Sequence, residues 1–222
     1  MRVVVFSAHP DDEAFGCGGT LFKHKSSGDE IFWIITTSVF HGQGYSEEWI
    51  ESRNEEIDSV KRMLNIKEVF LLNYPTMKLT DESLIEMIPK IGEIFKQIGP
   101  EVIYILNRSD AHSDHFITFK AAMACTKSFR YPSVKKVLMY ECISETEFGA
   151  ALAENVFIPN YFVDISDFMD KKLQLIQIYK SEIMDHPFPR SLENVKALNH
   201  FRGATIGVKY AEAFQLLKYI DK

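Results

Sequence analysis

One imidazole and three carboxylates lie within the five residues His9-Pro10-Asp11-Asp12-Glu13. The apolar run at residues 3–6, just before them, is typical of a strand buried on both faces. Pro10 disfavours continuation of that strand, so the polar residues should form a turn at its carboxyl end, where open α/β sheets bind ligands. Carboxylates crowded together there repel one another unless a cation neutralises them. The sequence therefore predicts a metal ion at this turn.

The same residues also have a simpler interpretation as the start of a helix. Acidic side chains after a proline can cap the free N–H groups of a first helical turn and interact favourably with its dipole. For this cluster alone, a helix start and a metal site are about equally favoured. A second polar cluster shifts the balance toward the metal site.

That second cluster is His112-Ser113-Asp114-His115, which follows another strand-like run at residues 102–106. If Asp110 caps the next helix, His112 and His115 lie one turn apart on the same helix face. Imidazole and carboxylate groups are common metal ligands, and two loops at strand ends can meet across one crevice. Together the two clusters indicate a single metal centre.

Composition narrows the class of protein. The 222 residues are 46% hydrophobic and 25% charged, which is typical of a soluble globular protein. A net charge of -6 and the lack of a basic stripe argue against nucleic acid as a partner. No stretch approaches transmembrane length, and residues 3–6 are too short for a signal peptide. Because the three cysteines are widely spaced, we expect a reducing, cytoplasmic location. They are Cys17, Cys125 and Cys142.

Strand-like and helix-like segments alternate along the chain, which predicts an α/β fold with a doubly wound, mostly parallel sheet and helices on both faces. No repeat or linker appears, so residues 1–222 are predicted to form a single domain. Predicted strands cover residues 2–7, 31–36, 69–72, 102–106, 137–140 and 162–165. Predicted helices cover residues 15–27, 47–64, 81–98, 113–128, 167–180 and 191–201, with Ser166 as an N-cap.

The paired motifs His9-Pro10-Asp11-Asp12 and His112-x-Asp114-His115 closely resemble those of the PIG-L/LmbE-like family of zinc-dependent N-acetyl sugar deacetylases. Further landmarks in the same order extend the resemblance over essentially the whole chain, and the family implies a Rossmann-like fold. These landmarks are Gly16-x-Gly18-Gly19-Thr20-Leu21, Arg53-x-x-Glu56, Pro159-Asn160, Val163-Asp164-Ile165-Ser166 and Tyr210-Ala211-Glu212-Ala213-Phe214.

The resemblance implies that His9, Asp12 and His115 bind the metal, whereas spacing alone does not choose Asp12 over Asp11. Three nitrogen and oxygen ligands with a position left for water suit a catalytic Zn²⁺, and Fe²⁺ or another divalent ion is compatible with them. Asp11 is then implied to be the general base that activates this water.

Two further residues of the second motif receive roles from the same resemblance. His112 is implied to face the developing oxyanion as an imidazolium, and Asp114 to hold that ring and favour its charged form. Arg53 resembles a substrate-binding arginine of the family, although an i,i+3 pair with Glu56 is an equally good interpretation. The roles of Arg202 and His41 stay open.

The function implied is hydrolysis of the acetamide of an N-acetylated amino sugar or its conjugate, with release of acetate and a free amine. The alternatives are a metal-dependent amidase for a small N-acylated non-sugar conjugate and a non-catalytic carbohydrate-binding relative. The partner expected is a small-molecule N-acetyl sugar, with no nucleic acid and no membrane, and a homo-oligomer is one form the chain could take. Loop 37–46, which is polar and glycine-rich, favours a polar pocket.

Overall fold

A seven-stranded sheet forms the centre of the structure, a computed structural model that describes residues 1–221. Its strand order is β3-β2-β1-β4-β5-β7-β6. The first five strands pair in parallel, and β7 runs antiparallel to both β5 and β6. The predicted fold class is therefore confirmed. The strands are β1 (Arg2–Ser7), β2 (Glu30–Ser38), β3 (Glu68–Pro75), β4 (Val102–Leu106), β5 (Lys136–Tyr140), β6 (Tyr161–Asp164) and β7 (Ala211–Tyr219).

Helices cover both faces of this sheet, because the central strands are apolar on both sides. In β1, Val3 and Val5 face one core while Val4 and Phe6 face the other, and all four side chains are fully buried. Helices α1, α2, α5 and α6 pack on the first face, and α3 and α4 pack on the second. The helices are α1 (Asp12–Ser26), α2 (Glu47–Leu64), α3 (Leu84–Ile98), α4 (Ser113–Ala124), α5 (Met169–Ile176) and α6 (Leu192–Ile206).

The two predicted metal loops lie at the point where the sheet changes direction. From β1 the chain continues outward to β2 and β3, whereas β4 and β5 lie on the other side of β1. Strands β1 and β4 are parallel neighbours, so the loops that leave their carboxyl ends are adjacent. A crevice opens at such a switch point, and it is the usual ligand site of doubly wound sheets.

Several predicted boundaries differ from the structure. Helix α1 begins at Asp12, three residues earlier than expected, and α5 is shorter than expected at both ends. At its start, Ser166 donates its hydroxyl to Asp164 and does not cap the helix. The strand β7 was not predicted. Its sequence is rich in alanine, glutamate, leucine and lysine, which favour helix, so pairing with β5 and β6 overrides local propensity there.

Helix α1 is broken at Cys17, whose φ of -144° and ψ of 18° are not helical. The break frees the N–H groups of Gly19 and Thr20, and both donate to the carboxylate of Glu212 on β7, at 2.9 and 2.7 Å. Lys172 of α5 pairs with that carboxylate at 2.6 Å and donates to the carbonyl of Phe15 at 2.9 Å. The buried Lys172–Glu212 ion pair therefore provides hydrogen-bond partners for backbone groups on both sides of the break.

We expect Lys172→Met to destabilise the protein by about 3–5 kcal/mol, because Glu212 would keep a buried charge without its partner. The measurement is urea-induced unfolding followed by circular dichroism. Lys171→Met is the matched control, since Lys171 is exposed on the same helix turn. Equal unfolding midpoints for the two variants would contradict a role of the ion pair in stability.

Candidate metal centre

Ligand-type atoms from both loops meet at the switch point. The possible ligand atoms of His9, Asp12 and His115 all lie within 4.8 Å of one another. Oδ1 of Asp12 is 3.3 Å from Nε2 of His115, and both side chains are almost fully buried. The structure therefore brings together the three residues that the sequence resemblance implied as ligands.

Asp12 is fixed by the turn that precedes it. Its Oδ2 accepts hydrogen bonds from the backbone N–H groups of Ala8 and His9, at 2.8 and 2.9 Å. This contact closes the turn after β1 and directs Oδ1 toward His115. The hydrogen bonds to the backbone and the proximity of His115 outweigh burial and hold the pKa of Asp12 well below its usual range.

His115 is fixed by Asp110, whose Oδ2 lies 2.8 Å from Nδ1 of the ring. Oδ1 of Asp110 accepts from Asn107 and Thr146, both at 2.7 Å, so this carboxylate is itself held in place. Burial opposes a charge on His115, but Asp12 and Asp110 outweigh it and raise the pKa of the ring to about 10. The expectation that Asp110 caps α4 is wrong, because it binds the imidazole instead.

The residue that caps α4 is His112. Its Nδ1 accepts from the backbone N–H of Asp114 at 3.1 Å, so the proton of the neutral ring lies on Nε2. Burial, together with the neighbouring His9 and His115, lowers the pKa of His112 to about 4. The accepting Nδ1 and the lowered pKa favour a neutral ring that donates from Nε2, rather than the imidazolium expected from the sequence.

Asp114 was expected to hold His112, but its carboxylate contacts a different imidazole. Oδ2 lies 3.2 Å from Nε2 of His9 and accepts from the backbone N–H of Met77 at 2.7 Å. Its distance to Nδ1 of His112 is 4.0 Å. Asp114 therefore orients His9 and anchors the loop after β3, and His112 is positioned by backbone rather than by a carboxylate.

A second possible ligand group overlaps the first, because His9, His112 and Asp114 also lie close enough to share an ion. Its members already serve other contacts, since Nδ1 of His112 accepts a backbone hydrogen bond and Asp114 accepts from Met77. The first group fits a metal better. Nδ1 of His115 is held by a carboxylate and Nε2 is left for an ion, which is the usual arrangement of a ligating imidazole.

Asp11 lies beside the His9, Asp12 and His115 group. Its backbone is strained, with a φ of 137°. Its backbone N–H donates to Glu13 at 3.2 Å, and its carbonyl accepts from Ala14 at 2.9 Å. Burial raises the pKa of Asp11 to about 7, although a nearby arginine opposes the shift. Oδ1 of Asp11 is buried and has no hydrogen-bond partner among the residues described.

The arginine beside Asp11 is Arg190, which sequence reasoning missed. Nη1 donates to Oδ2 of Asp11 at 2.8 Å, and Nε donates to Ser144 at 2.6 Å. Arg190 lies in the loop between α5 and α6, far along the chain from Asp11. No local pattern marks it, because a single arginine near two prolines is typical of an exposed loop.

Arg53 forms the i,i+3 pair with Glu56 that one of its two sequence interpretations predicted. It lies on α2 and lines the cavity described next, and its guanidinium is 3.2 Å from Glu56 one turn later. It also pairs at 2.7 Å with Glu182, whose other oxygen is 3.2 Å from Arg190. A substrate-binding role for Arg53 stays a prediction. Arg202 forms a two-bonded pair with Glu141, and His41 is exposed.

A cavity of about 480 Å³ opens above the candidate metal centre. His9, Asp11 and His112 line one part of it, which we call the polar end. Large apolar residues also line the cavity, so it is less polar than loop 37–46 led us to expect. We call these residues the apolar wall and define it by six of them: Val39, Phe40, Trp49, Ile50, Leu71 and Met77.

Comparison with known proteins places the chain in a family. The family model of PIG-L, described as GlcNAc-PI de-N-acetylase, matches residues 4–126, more than half of the chain. The chain belongs to the PIG-L family. This confirms the resemblance inferred from the motifs. Both metal loops lie within the matched residues of this PIG-L protein, whereas Arg190 lies beyond them.

Individual PIG-L relatives cover most of the chain. Diacetylchitobiose deacetylase of Thermococcus kodakarensis is 22% identical over 223 residues, which is 97% of this chain and 83% of that protein. A probable N-acetyl-alpha-D-glucosaminyl L-malate deacetylase 2 of Bacillus cereus is 22% identical over 82% of this chain and 83% of its own length. The solved N,N'-diacetylchitobiose deacetylase of Pyrococcus horikoshii shares the fold, with a TM-score of 0.78 and 24% identity over 98% of this chain and 84% of that one.

None of the helices in residues 1–221 combines the length and the apolar character needed to cross a membrane.

If the first group is the metal site, the dialysed protein should bind about one Zn²⁺ per chain in a calorimetric titration, and His115→Ala should lose this binding. Asp110→Asn should weaken it by about 10–100-fold, because His115 would lose its orienting carboxylate. Asp164→Asn is the control, since that carboxylate binds Ser166 at the end of β6. Unchanged Zn²⁺ affinity in His115→Ala would rule out this ligand set.

Proposed function

We propose that this PIG-L family protein is a metal-dependent hydrolase that removes the acetyl group from an N-acetylated amino sugar or its conjugate. The products are acetate and a free amine. The single observation that carries the proposal is the position of Asp11. A carboxylate oxygen without a partner among the described residues lies beside the His9, Asp12 and His115 group, at the polar end of a cavity large enough for a sugar.

His9, Asp12 and His115 are the residues proposed to hold the ion. Two imidazoles and one carboxylate suit Zn²⁺, and Fe²⁺ is compatible with the same donors. A bound divalent ion would supply Lewis acidity to the amide carbonyl and lower the pKa of water at the site. Asp110 and Asp114 are proposed to keep the rings of His115 and His9 oriented toward it.

Asp11 is the proposed general base. Its Oδ2 is held by Arg190, so Oδ1 remains to take a proton from the attacking water. Its pKa of about 7 lies where a base is partly deprotonated at neutral pH and its conjugate acid can still give the proton up. The same carboxyl group can then pass this proton to the departing nitrogen, which balances the hydrolysis.

His112 is proposed to stabilise the negative oxygen of the tetrahedral intermediate. Nδ1 is occupied by the backbone N–H of Asp114, so the hydrogen on Nε2 is the one available for donation. A neutral imidazole held in advance by the start of α4 can donate to this oxygen without reorganising. This differs from the charged ring expected from the sequence.

The substrate class rests on what the relatives are named for. One curated relative is a diacetylchitobiose deacetylase and another is a probable N-acetyl-alpha-D-glucosaminyl L-malate deacetylase. An N-acetylated amino sugar is common to both names. Polar groups that line the cavity, including Arg53 and Asn73, are suited to sugar hydroxyls.

We expect amine release from N-acetyl sugars when Zn²⁺ is present and its loss when a chelator is added. The measurement is a panel of free N-acetylhexosamines, their glycosides and nucleotide conjugates, and N-acetylated amino acids. Turnover of amino-acid conjugates alone would keep the chemistry and reject the sugar. Binding of sugars without any amine release would reject catalysis in favour of a carbohydrate-binding protein.

Asp11→Asn should retain Zn²⁺ yet lose about 10²-fold or more in kcat, because the proton acceptor is removed while the ligands remain. A comparable loss is expected for His112→Ala through weaker stabilisation of the oxyanion. His41→Ala serves as the control, since His41 is exposed on loop 37–46. Near wild-type kcat in Asp11→Asn, with metal content verified, would show that another group is the base.

A further inference from the structure

The cavity is lined by two chemically different sets of residues. His9, Asp11 and His112 belong to the proposed chemistry, and the apolar wall is a second set that the chemistry does not use. Three separate parts of the chain build this wall. Val39 and Phe40 follow β2, Trp49 and Ile50 belong to α2, and Leu71 and Met77 come from β3 and the turn after it. The deacetylation proposed above requires only the polar end.

The apolar wall is open to solvent to an unusual degree. Phe40 and Trp49 are 37% and 36% exposed, Leu71 is 41% exposed and Met77 is 73% exposed. Large apolar side chains scattered singly over a surface need no explanation, but several that converge in one concave site mark a binding surface. Contact with an apolar ligand group would remove their surface from water.

The chemistry of the wall limits what can bind there. Sugar hydroxyls find no hydrogen-bond partner on the aliphatic side chains of Val39, Leu71 or Met77. A nucleotide diphosphate would need unpaired cations, whereas Arg53 and Arg190 are already paired with Glu182 and other carboxylates. An apolar, uncharged group needs neither hydrogen-bond partners nor free cations, so it can bind to this wall.

We propose that the substrate carries an aryl or alkyl aglycone next to its N-acetylated sugar, and that the apolar wall binds this aglycone. The inference rests on the proposed function, because the amide must lie at the polar end for the aglycone to reach the wall. Trp49 contributes a flat surface that is already ordered by its neighbours. Tyr45 stacks on its ring at 6.4 Å, and the guanidinium of Arg53 lies 5.2 Å from it.

The test compares kcat/KM for free N-acetylglucosamine and for its methyl, phenyl and hexyl glycosides. The phenyl and hexyl glycosides should exceed the methyl glycoside by about tenfold or more, mainly through a lower KM, because the added group is transferred from water to the wall. Phe40→Ser and Leu71→Ser should reduce this ratio severalfold. Both side chains are partly exposed, so these variants should fold.

Phe129→Ser is the matched control. Phe129 is an exposed aromatic residue between α4 and β5, it does not line the cavity, and its variant should keep the wild-type ratio. Equal kcat/KM for all the glycosides would overturn the inference while leaving the proposed function intact. Faster cleavage of an N-octanoyl than an N-acetyl methyl glycoside would also overturn the inference, because the wall would then hold the acyl chain, and it would change the acyl group of the proposed function.

Direct binding separates failure of the inference from failure of the proposed function. Affinities are measured in the Zn²⁺-loaded protein by calorimetry, with Phe40→Ser alongside the wild type. Tighter binding of the phenyl glycoside that is lost in Phe40→Ser supports the wall even if no amine is released, and in that case only the proposed hydrolysis is wrong. Equal affinities for the methyl and phenyl glycosides would overturn the inference whatever the turnover.

Discussion

Three consecutive carboxyl groups are buried in a single turn at the end of β1, and the surrounding structure has to compensate for them. Asp11 is 4% exposed, and Asp12 and Glu13 are fully buried. Burying isolated carboxylates side by side is strongly unfavourable unless each is paired, hydrogen-bonded or protonated. Each of the three meets this requirement differently, because each has different neighbours.

Asp12 faces His115 and has the lowest pKa of the three, so it is a charged ligand candidate. Asp11 faces Arg190, and its pKa is raised by burial to about 7. Glu13 accepts from Tyr179 at 2.7 Å, yet burial raises its pKa to about 8. Three neighbouring carboxyl groups thus acquire different pKa values from their surroundings.

The sequence was sufficient to predict the sheet, the switch point and the two polar loops, because apolar strands followed by polar turns are local patterns. The grouping of His9, Asp12 and His115 came from the family resemblance instead, because spacing alone does not choose Asp12 over Asp11. Contacts between residues far apart in the sequence could not be predicted in this way. Asp110 and Asp114 are both acidic residues near the start of α4, and nothing in their spacing shows that one holds His115 and the other His9. Arg190 approaches Asp11 from a loop 179 residues away. The apolar wall escaped notice because its members are dispersed over three elements.

The proposed chemistry depends most directly on which side chains bind the ion. The decisive measurement is a crystal structure of the Zn²⁺-loaded protein, with anomalous data collected on both sides of the zinc absorption edge. The account predicts one zinc peak within coordination distance of His9, Asp12 and His115, with Asp11 close by but not a ligand. A zinc peak held instead by His9, His112 and Asp114, or coordinated by Asp11, would contradict it.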